Sequence, residues 1–489
     1  MAVVMIGAVG AAAATIRSDD TIARKNLVFI LADDLGWRDL GCYGSIFYET
    51  PHLDRLAGRG VRFTQAYAAS PLCSPTRASI LTGLYPARIG ITIPVCHLPR
   101  ENFEARLAPK APPDRKALHA VSVTRLKTEY TTLSDVLQSA GYATGHFGKW
   151  HLGHEPYSPF QQGFDVDVPH WPGPGPPGYL APWLSEAFKL PAQPGEHVED
   201  LLSQQAVEFI QAHKNEPFYL NYWAFSVHAP HESKVELIDH FRRKAAELPA
   251  DSPQRNPVNA AMISCLDQAV GRIVQAIDDA GIADRTIIVF FSDNGGIHWA
   301  NPSYVRLADP PVDVPITSNA PLRGGKANIY EGGTREPCLI VGPQVTRAGT
   351  VNDTMIQSVD FLPTLLEMMD IPMPVGQPCD GKSFASALRG QPHDRGPLFC
   401  HFPHYTPKAG GIPSTSVRVG DWKLIRFFCD NPDQSDRFEL YNLAEDLSEQ
   451  HNLAENRPDK VRELSPRIDQ FLADTGAVVP VPNPDYRRP

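Results

Sequence analysis

Acidic and amide side chains follow two of the apolar runs in this sequence. One run leads into Asp33-Asp34, and a second leads into Asp293-Asn294. Four oxygen-bearing side chains, without a thiolate or a cluster of imidazoles, are the ligands that a hard cation such as Ca²⁺ or Mg²⁺ prefers. Any one of these residues alone would be explained as a helix cap or a turn residue. Matched pairs at two predicted strand ends favour a metal site.

Basic side chains stand at two further predicted strand ends. Lys149 and His151 follow the strand Tyr142–Phe147, and His228 follows the strand Pro217–Phe225. In an open α/β sheet, ligands bind at the carboxyl ends of the strands. If these strands are parallel neighbours, the bases converge with the acids on one crevice. A strand-end histidine is also a common structural residue, and a lysine lies by default on the surface.

A third group of reactive side chains lies at the start of a predicted helix. Cys73 and Pro75 open a helix that ends at Gly83, and Arg77 lies near its first turn. Backbone N–H groups and the helix dipole attract anions at such an end. A lone cysteine is usually a small core residue, but one placed beside an arginine at a helix N-terminus is a candidate for a reactive group.

The elements that must position these side chains can be read from the apolar pattern. Short apolar runs alternate with amphipathic helical segments, which is typical of an α/β protein with a large mixed, mostly parallel sheet flanked by helices. The predicted strands are Asn26–Ala32, Tyr142–Phe147, Pro217–Phe225, Thr286–Ser292 and Cys338–Val341. The predicted helices are Thr132–Ala140, Glu199–His213, Asn259–Ala280 and Asp360–Met369.

The pattern changes near the C-terminus and at the N-terminus. Strand-like pieces at Ser416–Arg418 and Trp422–Phe428 precede a terminal helix near Lys460–Ala473. We therefore predict a catalytic domain over residues 24–375 and a smaller α+β domain over residues 376–489. Ala2 to Ala14 is apolar and alanine-rich, so residues 1–20 resemble a secretory signal and predict export, the alternative being an apolar N-terminal tail. No later stretch is long and apolar enough to predict a transmembrane segment.

The composition narrows the function classes. The chain has 489 residues and a net charge of −10, which argues against a nucleic-acid partner because phosphate binding needs a basic surface. Its 47 prolines predict long, rigidly routed loops, the usual place for chemistry in α/β enzymes. One such segment, Pro94–Thr128, carries seven Lys or Arg against three acidic residues. It is either a solvated loop or a rim that guides a polyanionic substrate.

The segment Cys73–Arg77 (CSPTR) resembles the C-x-P-x-R signature of type I sulfatases. Further motifs of that family occur in the same order, and together they extend the resemblance over roughly residues 26 to 455. They are TPHLDRL at 50–56, GKWHLG at 148–153, DNGG at 293–296, GGK at 324–326, VGDWKL at 419–424 and ELYNL at 439–443.

The resemblance implies an alkaline phosphatase-like fold and two cofactor features. Cys73 matches the cysteine that a formylglycine-generating maturation enzyme oxidises to Cα-formylglycine. The aldehyde hydrates to a gem-diol, and one hydroxyl attacks the sulfur of the ester. The same comparison implies one calcium ion, Ca²⁺, with ligands Asp33, Asp34, Cys73, Asp293 and Asn294.

Roles for the basic side chains follow from the same resemblance. Arg77 and Lys149 match residues that hold the diol and neutralise the sulfate. His151 matches the base that removes a proton from the second hydroxyl. The remaining positions match groups that contact the substrate or protonate the leaving oxygen. The implied substrate-binding residues are Lys149, His228, Lys326 and His231.

The resemblance predicts a hydrolase of sulfate monoesters, with a small aryl sulfate or a glycan sulfate as substrate. Phosphonate and phosphodiester hydrolases of the same superfamily also use C-x-P-x-R and form the alternative. A two-metal phosphatase is disfavoured, because Asp293-Asn294 stands where those enzymes tend to have Asp-His. If Cys73 stayed unmodified, the chain would instead be a secreted binding protein. The substrate would be chosen by the loops Pro94–Thr128, Pro169–Gly178 and His298–Ala320.

Overall fold

A computed structural model describes residues 24–300, 312–345 and 348–487 of the chain. The predicted signal segment 1–20 and residues 301–311 of the predicted loop His298–Ala320 lie outside the described residues. Within the described part, none of the helices combines the length and the apolar character needed to span a bilayer.

Buried apolar runs form the strands, and the longest of them match the predicted ones. β1 and β9 have the bounds expected from the sequence, because each is a continuous apolar run bounded by polar residues. The strands are β1 (Asn26–Ala32), β2 (Val61–Tyr67), β3 (Arg106–Leu107), β4 (Ala117–Leu118), β5 (Ala120–Val121), β6 (Ala143–Gly148), β7 (Val166–Val168), β8 (Phe218–Trp223), β9 (Thr286–Ser292), β10 (Arg335–Val341), β11 (Thr350–Asn352), β12 (Ile356–Gln357), β13 (Leu398–Phe402), β14 (Ser414–Val419), β15 (Trp422–Phe427), β16 (Arg437–Asn442) and β17 (Val481–Pro482).

The helices lie between these strands, and the predicted ones are present with ends shifted by at most two residues. They are α1 (Pro51–Arg59), α2 (Cys73–Thr82), α3 (Pro86–Ile89), α4 (Leu133–Ser139), α5 (Val198–His213), α6 (Val235–Glu247), α7 (Pro257–Asp279), α8 (Glu331–Thr334), α9 (Phe361–Met368), α10 (Ala385–Leu388) and α11 (Pro458–Thr475).

One large sheet carries the fold. Its strand order is β11-β2-β10-β9-β1-β8-β6-β7, and β12 also pairs with β2. β10 runs antiparallel to both of its neighbours, whereas the other pairs in the sheet are parallel. The sheet is therefore mixed and mostly parallel with helices on both faces, which confirms the predicted fold class.

Alternate side chains of β1 point to opposite faces of this sheet and belong to two apolar cores. Val28 and Ile30 pack in the core that contains residues of α1, α5, α6 and α7. Leu27 and Phe29 pack in the core that contains residues of α2, α4 and α9. Helix layers on both faces leave the carboxyl ends of β1, β9 and β8 free to carry polar side chains.

A second, antiparallel sheet of four strands lies toward the C-terminus, in the order β13-β14-β15-β16. The helix α11 packs on it, and their core also includes Tyr85 and Val359 from the earlier part of the chain. Lys116 of the basic segment donates to Asp430 of this region, so this lysine bridges two parts of the fold and is not a free charge on a rim. The predicted division at residue 375 stays a prediction.

Candidate active site

The two acidic pairs meet because their strands are parallel neighbours in register, with Ala32 opposite Ser292. The chain therefore leaves β1 and β9 at the same edge of the sheet. The backbone N–H of Asp34 donates to Asp293 Oδ1 at 3.2 Å. Asn294 Nδ2 donates to Asp34 Oδ1 at 2.8 Å. The four side chains that the sequence predicts as oxygen ligands thus form one buried cluster.

Cys73 completes this cluster from the N-terminus of α2. Its Sγ and one carboxylate oxygen each of Asp33 and Asp293 lie within 4.8 Å of one another. Within the described residues, Asp33 Oδ1 and Asn294 Oδ1 are buried without a hydrogen-bond partner. A buried unpaired oxygen is costly, whereas a hard cation would satisfy both of these oxygens. The donor set therefore fits one calcium ion.

Two fully buried cations balance these acids. Arg77 donates through Nε to Asp293 Oδ2 at 2.8 Å, and its Nη2 lies 2.7 Å from the same oxygen in an ion pair. Lys149 Nζ donates to Asp33 Oδ2 at 2.5 Å. Arg77 lies four residues after Cys73 and so on the same face of α2, and its Nη1 also donates to the Lys149 carbonyl at 2.7 Å. The expectation that lysines lie on the surface fails for Lys149, because ion pairing offsets its burial.

Two further bases sit at the mouth of the crevice. Lys326 Nζ lies 2.5 Å from Asp34 Oδ2, and His228 Nε2 lies 3.9 Å from the same oxygen. The side chains of Lys326 and His228 are 14% and 17% exposed, whereas that of Lys149 is 0% exposed. His228 Nδ1 donates to the Ala229 carbonyl at 2.7 Å, which leaves Nε2 facing the crevice. Both bases are therefore placed to meet an entering ligand.

His151 has a partner that the sequence did not reveal. His151 Nε2 and His97 Nδ1 are 2.9 Å apart and share a hydrogen bond. The carbonyl of His151 accepts from Ser74 Oγ at 2.7 Å, which ties this residue to the first turn of α2. His97 lies in the basic segment 94–128, far from every strand end, so only a search for histidines within that segment would have suggested it.

Comparison with known proteins decides the family. Residues 25–371 match the Sulfatase family, and residues 325–475 match the family described as N-sulphoglucosamine sulphohydrolase, C-terminal. The chain belongs to the sulfatase family. It is therefore an enzyme that hydrolyses sulfate esters, with an alkaline phosphatase-like fold.

Relatives of this sulfatase cover most of its length. A sulfatase of Formosa agariphila is 31% identical over 93% of this chain and 89% of its own. An N-acetylgalactosamine-6-O-sulfatase of Bacteroides thetaiotaomicron is 28% identical over 91% of this chain and 93% of its own. The crystal structure of Ps i-CgsB in complex with k-i-k-neocarrahexaose has a TM-score of 0.72, at 25% identity and 92% coverage of both chains.

Burial and ion pairing shape the electrostatics of the sulfatase site. Burial raises the pKa of the Cys73 thiol, although Lys149 opposes this effect. Burial and the neighbouring Asp33 raise the pKa of Asp293 to about 6. Burial opposes the ionisation of Asp34, but the Lys326 ammonium holds the pKa of that carboxyl below its usual range. A neutral thiol is a weak nucleophile, so an unmodified Cys73 is poorly suited to attack an ester.

The histidines of the site are held neutral. Burial, together with Lys326 and Lys149, lowers the pKa of His228 to about 3. Burial and Lys149 lower the pKa of His151 well below its ordinary value. A neutral imidazole keeps a lone pair, so these rings can accept a proton during a reaction.

His231 lies deeper than His228 and Lys326. It is 1% exposed, and neither of its ring nitrogens has a hydrogen-bond partner within the described residues. Burial and the nearby His228 lower its pKa to about 3. Its predicted contact with substrate stays a prediction.

The backbone at the site adopts unusual conformations at two strand ends. Asp34 has a φ of 62° and His151 a φ of 55°, in the left-handed region that most residues avoid. Such strain concentrates at functional sites, where the surrounding packing holds it in place. Asp34 and His151 both belong to the predicted site, and each follows a strand end.

Proposed function

We propose that this enzyme removes sulfate from a carbohydrate sulfate ester, using a Cα-formylglycine made from Cys73 and one bound calcium ion. The observation that carries the proposal is the position of Cys73, at a helix N-terminus within reach of Asp33 and Asp293. The relative that is an N-acetylgalactosamine-6-O-sulfatase supports a sugar substrate. The apolar run from Ala2 to Ala14 supports export to a compartment in which the enzyme would meet such a substrate.

The cofactor site is assigned to the buried oxygen cluster, with Asp33, Asp34, Asp293, Asn294 and the side chain of residue 73 as ligands. When present, the calcium ion offsets the negative charge of the sulfate, and the hydrated aldehyde supplies the attacking oxygen. The conversion of Cys73 needs a maturation enzyme as a partner of the newly made chain.

Arg77 and Lys149 hold the reacting group in place. Each is fully buried and bonded to an acid of the cluster, at 2.7 Å for Arg77 and 2.5 Å for Lys149. Their positions are therefore fixed before the substrate enters. Fixed cations in a site without water stabilise the negative charge that develops in the transition state. We assign Arg77 and Lys149 the roles of holding the side chain of residue 73 and neutralising the sulfate oxygens.

Lys326 and His228 are assigned to the bridging oxygen that leaves with the sugar. The pKa of Lys326 is raised, because the nearby Asp34 carboxylate outweighs the effect of burial, and so this side chain carries a proton in the free enzyme. The free Nε2 of His228 faces the same space. An anionic sulfate would raise the pKa of this histidine and let it share the proton.

His151 is assigned as the base that removes the last proton on residue 73. Its ring is neutral, its carbonyl is tied to Ser74, and its Nε2 is bonded to His97. We assign His97 as a positioning residue, because its contact is with His151 and fixes the orientation of that ring.

The test measures sulfate release from 4-nitrophenyl sulfate and from 6-sulfated N-acetylgalactosamine, with phenyl phosphonate monoesters as the competing substrates. We expect turnover of the sulfates, loss of at least about 10³-fold in Cys73→Ala, and an unchanged urea midpoint. Faster turnover of the phosphonate monoesters would favour the alternative hydrolase. Full activity in purified Cys73→Ala would refute the assignment of residue 73.

A further inference from the structure

We infer that a cavity beside the catalytic crevice binds an anionic sugar unit next to the sugar that carries the scissile sulfate. This inference rests on the proposed function, because it assumes a sulfated glycan as substrate. The cavity has a volume of about 480 Å³ and lies between the basic segment 94–128 and the loop at His404 and Tyr405. Ligand pockets typically have volumes of roughly 300–1,000 Å³, so a sugar unit fits.

The charge of the cavity selects an anion. Its lining includes Arg100 and Arg115, and none of the residues described as lining it is acidic. The guanidinium of Arg115 lies 4.8 Å from the ring centre of Tyr405. Within the described residues the Arg115 guanidinium donates no hydrogen bond, and its ion pair with the exposed Asp114 is 3.8 Å long. Its N–H groups are therefore available for two-point binding of a sulfate or a carboxylate.

The other side chains of the lining suit a sugar ring. Tyr405 presents an aromatic face and is held in place, because its hydroxyl accepts from the Ala117 N–H at 2.9 Å. His119 Nδ1 is buried without a partner within the described residues. The ring of His404 is fixed by a hydrogen bond of 2.8 Å between Nε2 and Thr92 Oγ1. Aromatic faces and a few fixed polar atoms are typical of small-molecule sites.

One wall of the cavity is formed by residues next to His97, which contacts the catalytic crevice. Val95 and Leu98 line the cavity and flank His97 in the chain. His97 Nδ1 in turn lies 2.9 Å from His151 Nε2 in the crevice. A single short stretch of the basic segment therefore separates the two spaces.

The opposite wall is linked to the crevice by a second series of residue contacts. Tyr405 lines the cavity, and the next residue, Thr406, donates through Oγ1 to the carbonyl of Ala327 at 2.9 Å. Ala327 follows Lys326, whose ammonium bonds to Asp34 at the mouth of the crevice. Because residues of both walls adjoin residues of the crevice, the cavity lies beside it, where the neighbouring sugar of a bound oligosaccharide would lie.

The experiment compares Arg115→Gln with Lys110→Gln, since Lys110 is exposed in the same segment and is not among the lining residues. Three sulfated disaccharides serve as substrates, with a second sulfate, a uronic carboxylate or no charge on the neighbouring sugar. In Arg115→Gln we expect kcat/KM for the charged disaccharides to fall about tenfold relative to the uncharged one. Lys110→Gln should not change this ratio.

A binding measurement keeps this test separate from the proposed function. Equilibrium binding of the disulfated disaccharide is measured in Cys73→Ala protein, with and without Arg115→Gln, and urea midpoints verify folding. Weaker binding with Arg115→Gln supports the cavity even if no sulfate ester is cleaved. Equal binding, or an equal loss for the charged and the uncharged disaccharide, would overturn the inference. Whether the enzyme prefers the disaccharide with a second sulfate or the one with a uronic carboxylate distinguishes a sulfate-binding cavity from a carboxylate-binding one.

Discussion

The ion pair between Arg77 and Asp293 offers a quantitative test of the site's electrostatics. Both side chains are 0% exposed and are joined at 2.7 Å. Replacing Arg77 by Met leaves Asp293 buried without its charge partner, and the nearby Asp33 adds a second negative charge. Breaking a buried pair in this way costs about 3–5 kcal/mol of unfolding free energy. The carboxyl of Asp293 must be ionised, so the measurement is made at about pH 8, above its pKa of about 6.

A double-mutant cycle separates the pair from its surroundings. We expect Arg77→Met and Asp293→Asn together to lose less stability than the sum of the single variants, by about 2–3 kcal/mol. Urea unfolding in a chelator gives the four free energies without a contribution from bound metal. The double variant should stay inactive, because both residues serve the proposed chemistry.

The chain contains a matched control that differs in burial. Arg59 and Asp278 form a two-point ion pair, with both N···O distances at 2.8 Å, but their side chains are 36% and 37% exposed. Exposed pairs are worth at most about 1 kcal/mol, so Arg59→Met should change the stability little. If Arg77→Met costs no more than Arg59→Met, or if the cycle is additive, burial does not control the energetics of the site.

Three further predictions concern other parts of the fold. Burial lowers the pKa of His401 to about 4. Between about pH 4 and 6.5, the unfolded chain therefore binds more protons at this residue than the folded chain does. The free energy of unfolding then falls as the pH drops through 6.5, by up to about 1 kcal/mol per pH unit. His401→Gln should remove this contribution and make the pH dependence of the unfolding free energy in urea less steep, and an unchanged pH dependence would contradict the prediction. Gly148→Ala should destabilise the protein by about 2 kcal/mol or more, because the new Cβ would lie 2.0 Å from a main-chain carbonyl oxygen of β8. The control is Gly281→Ala, which is also at positive φ but in open space and should cost less. Equal losses in the two variants would show that the close approach at Gly148 is unimportant. His97→Phe should lower kcat about fivefold to tenfold through the lost hydrogen bond to His151, with partial rescue by His97→Asn; an unchanged kcat would exclude a positioning role.

The parts of the fold that the sequence predicts well are those with a local signal. β1 and β9 are unbroken apolar runs bounded by polar residues, so their ends were predicted to the residue. The location of the crevice was predicted from the rule that ligands bind at the carboxyl ends of parallel strands. The rule applies because β1 pairs in parallel with both β9 and β8. The family motifs and their order singled out the helix that begins at Cys73 as part of the site.

The parts that could not be predicted depend on contacts between distant residues. Nothing local marks β10 as antiparallel to its neighbours, because strand direction depends on how the connections cross the sheet. The contact of His97 with His151 joins an irregular loop to a strand end. Lys116 was grouped with the free charges of the basic segment, but it bonds to Asp430 across more than 300 residues of sequence.

In the proposed reaction, residue 73 performs the chemistry as an aldehyde within the acidic cluster. Mass spectrometry of the peptide that spans residues 73–77, taken from protein with measured sulfatase turnover, tests this claim directly. We predict that the fraction of peptide carrying the aldehyde rises in proportion to the turnover of each preparation. Full turnover from a preparation in which this peptide carries only the cysteine thiol would contradict it.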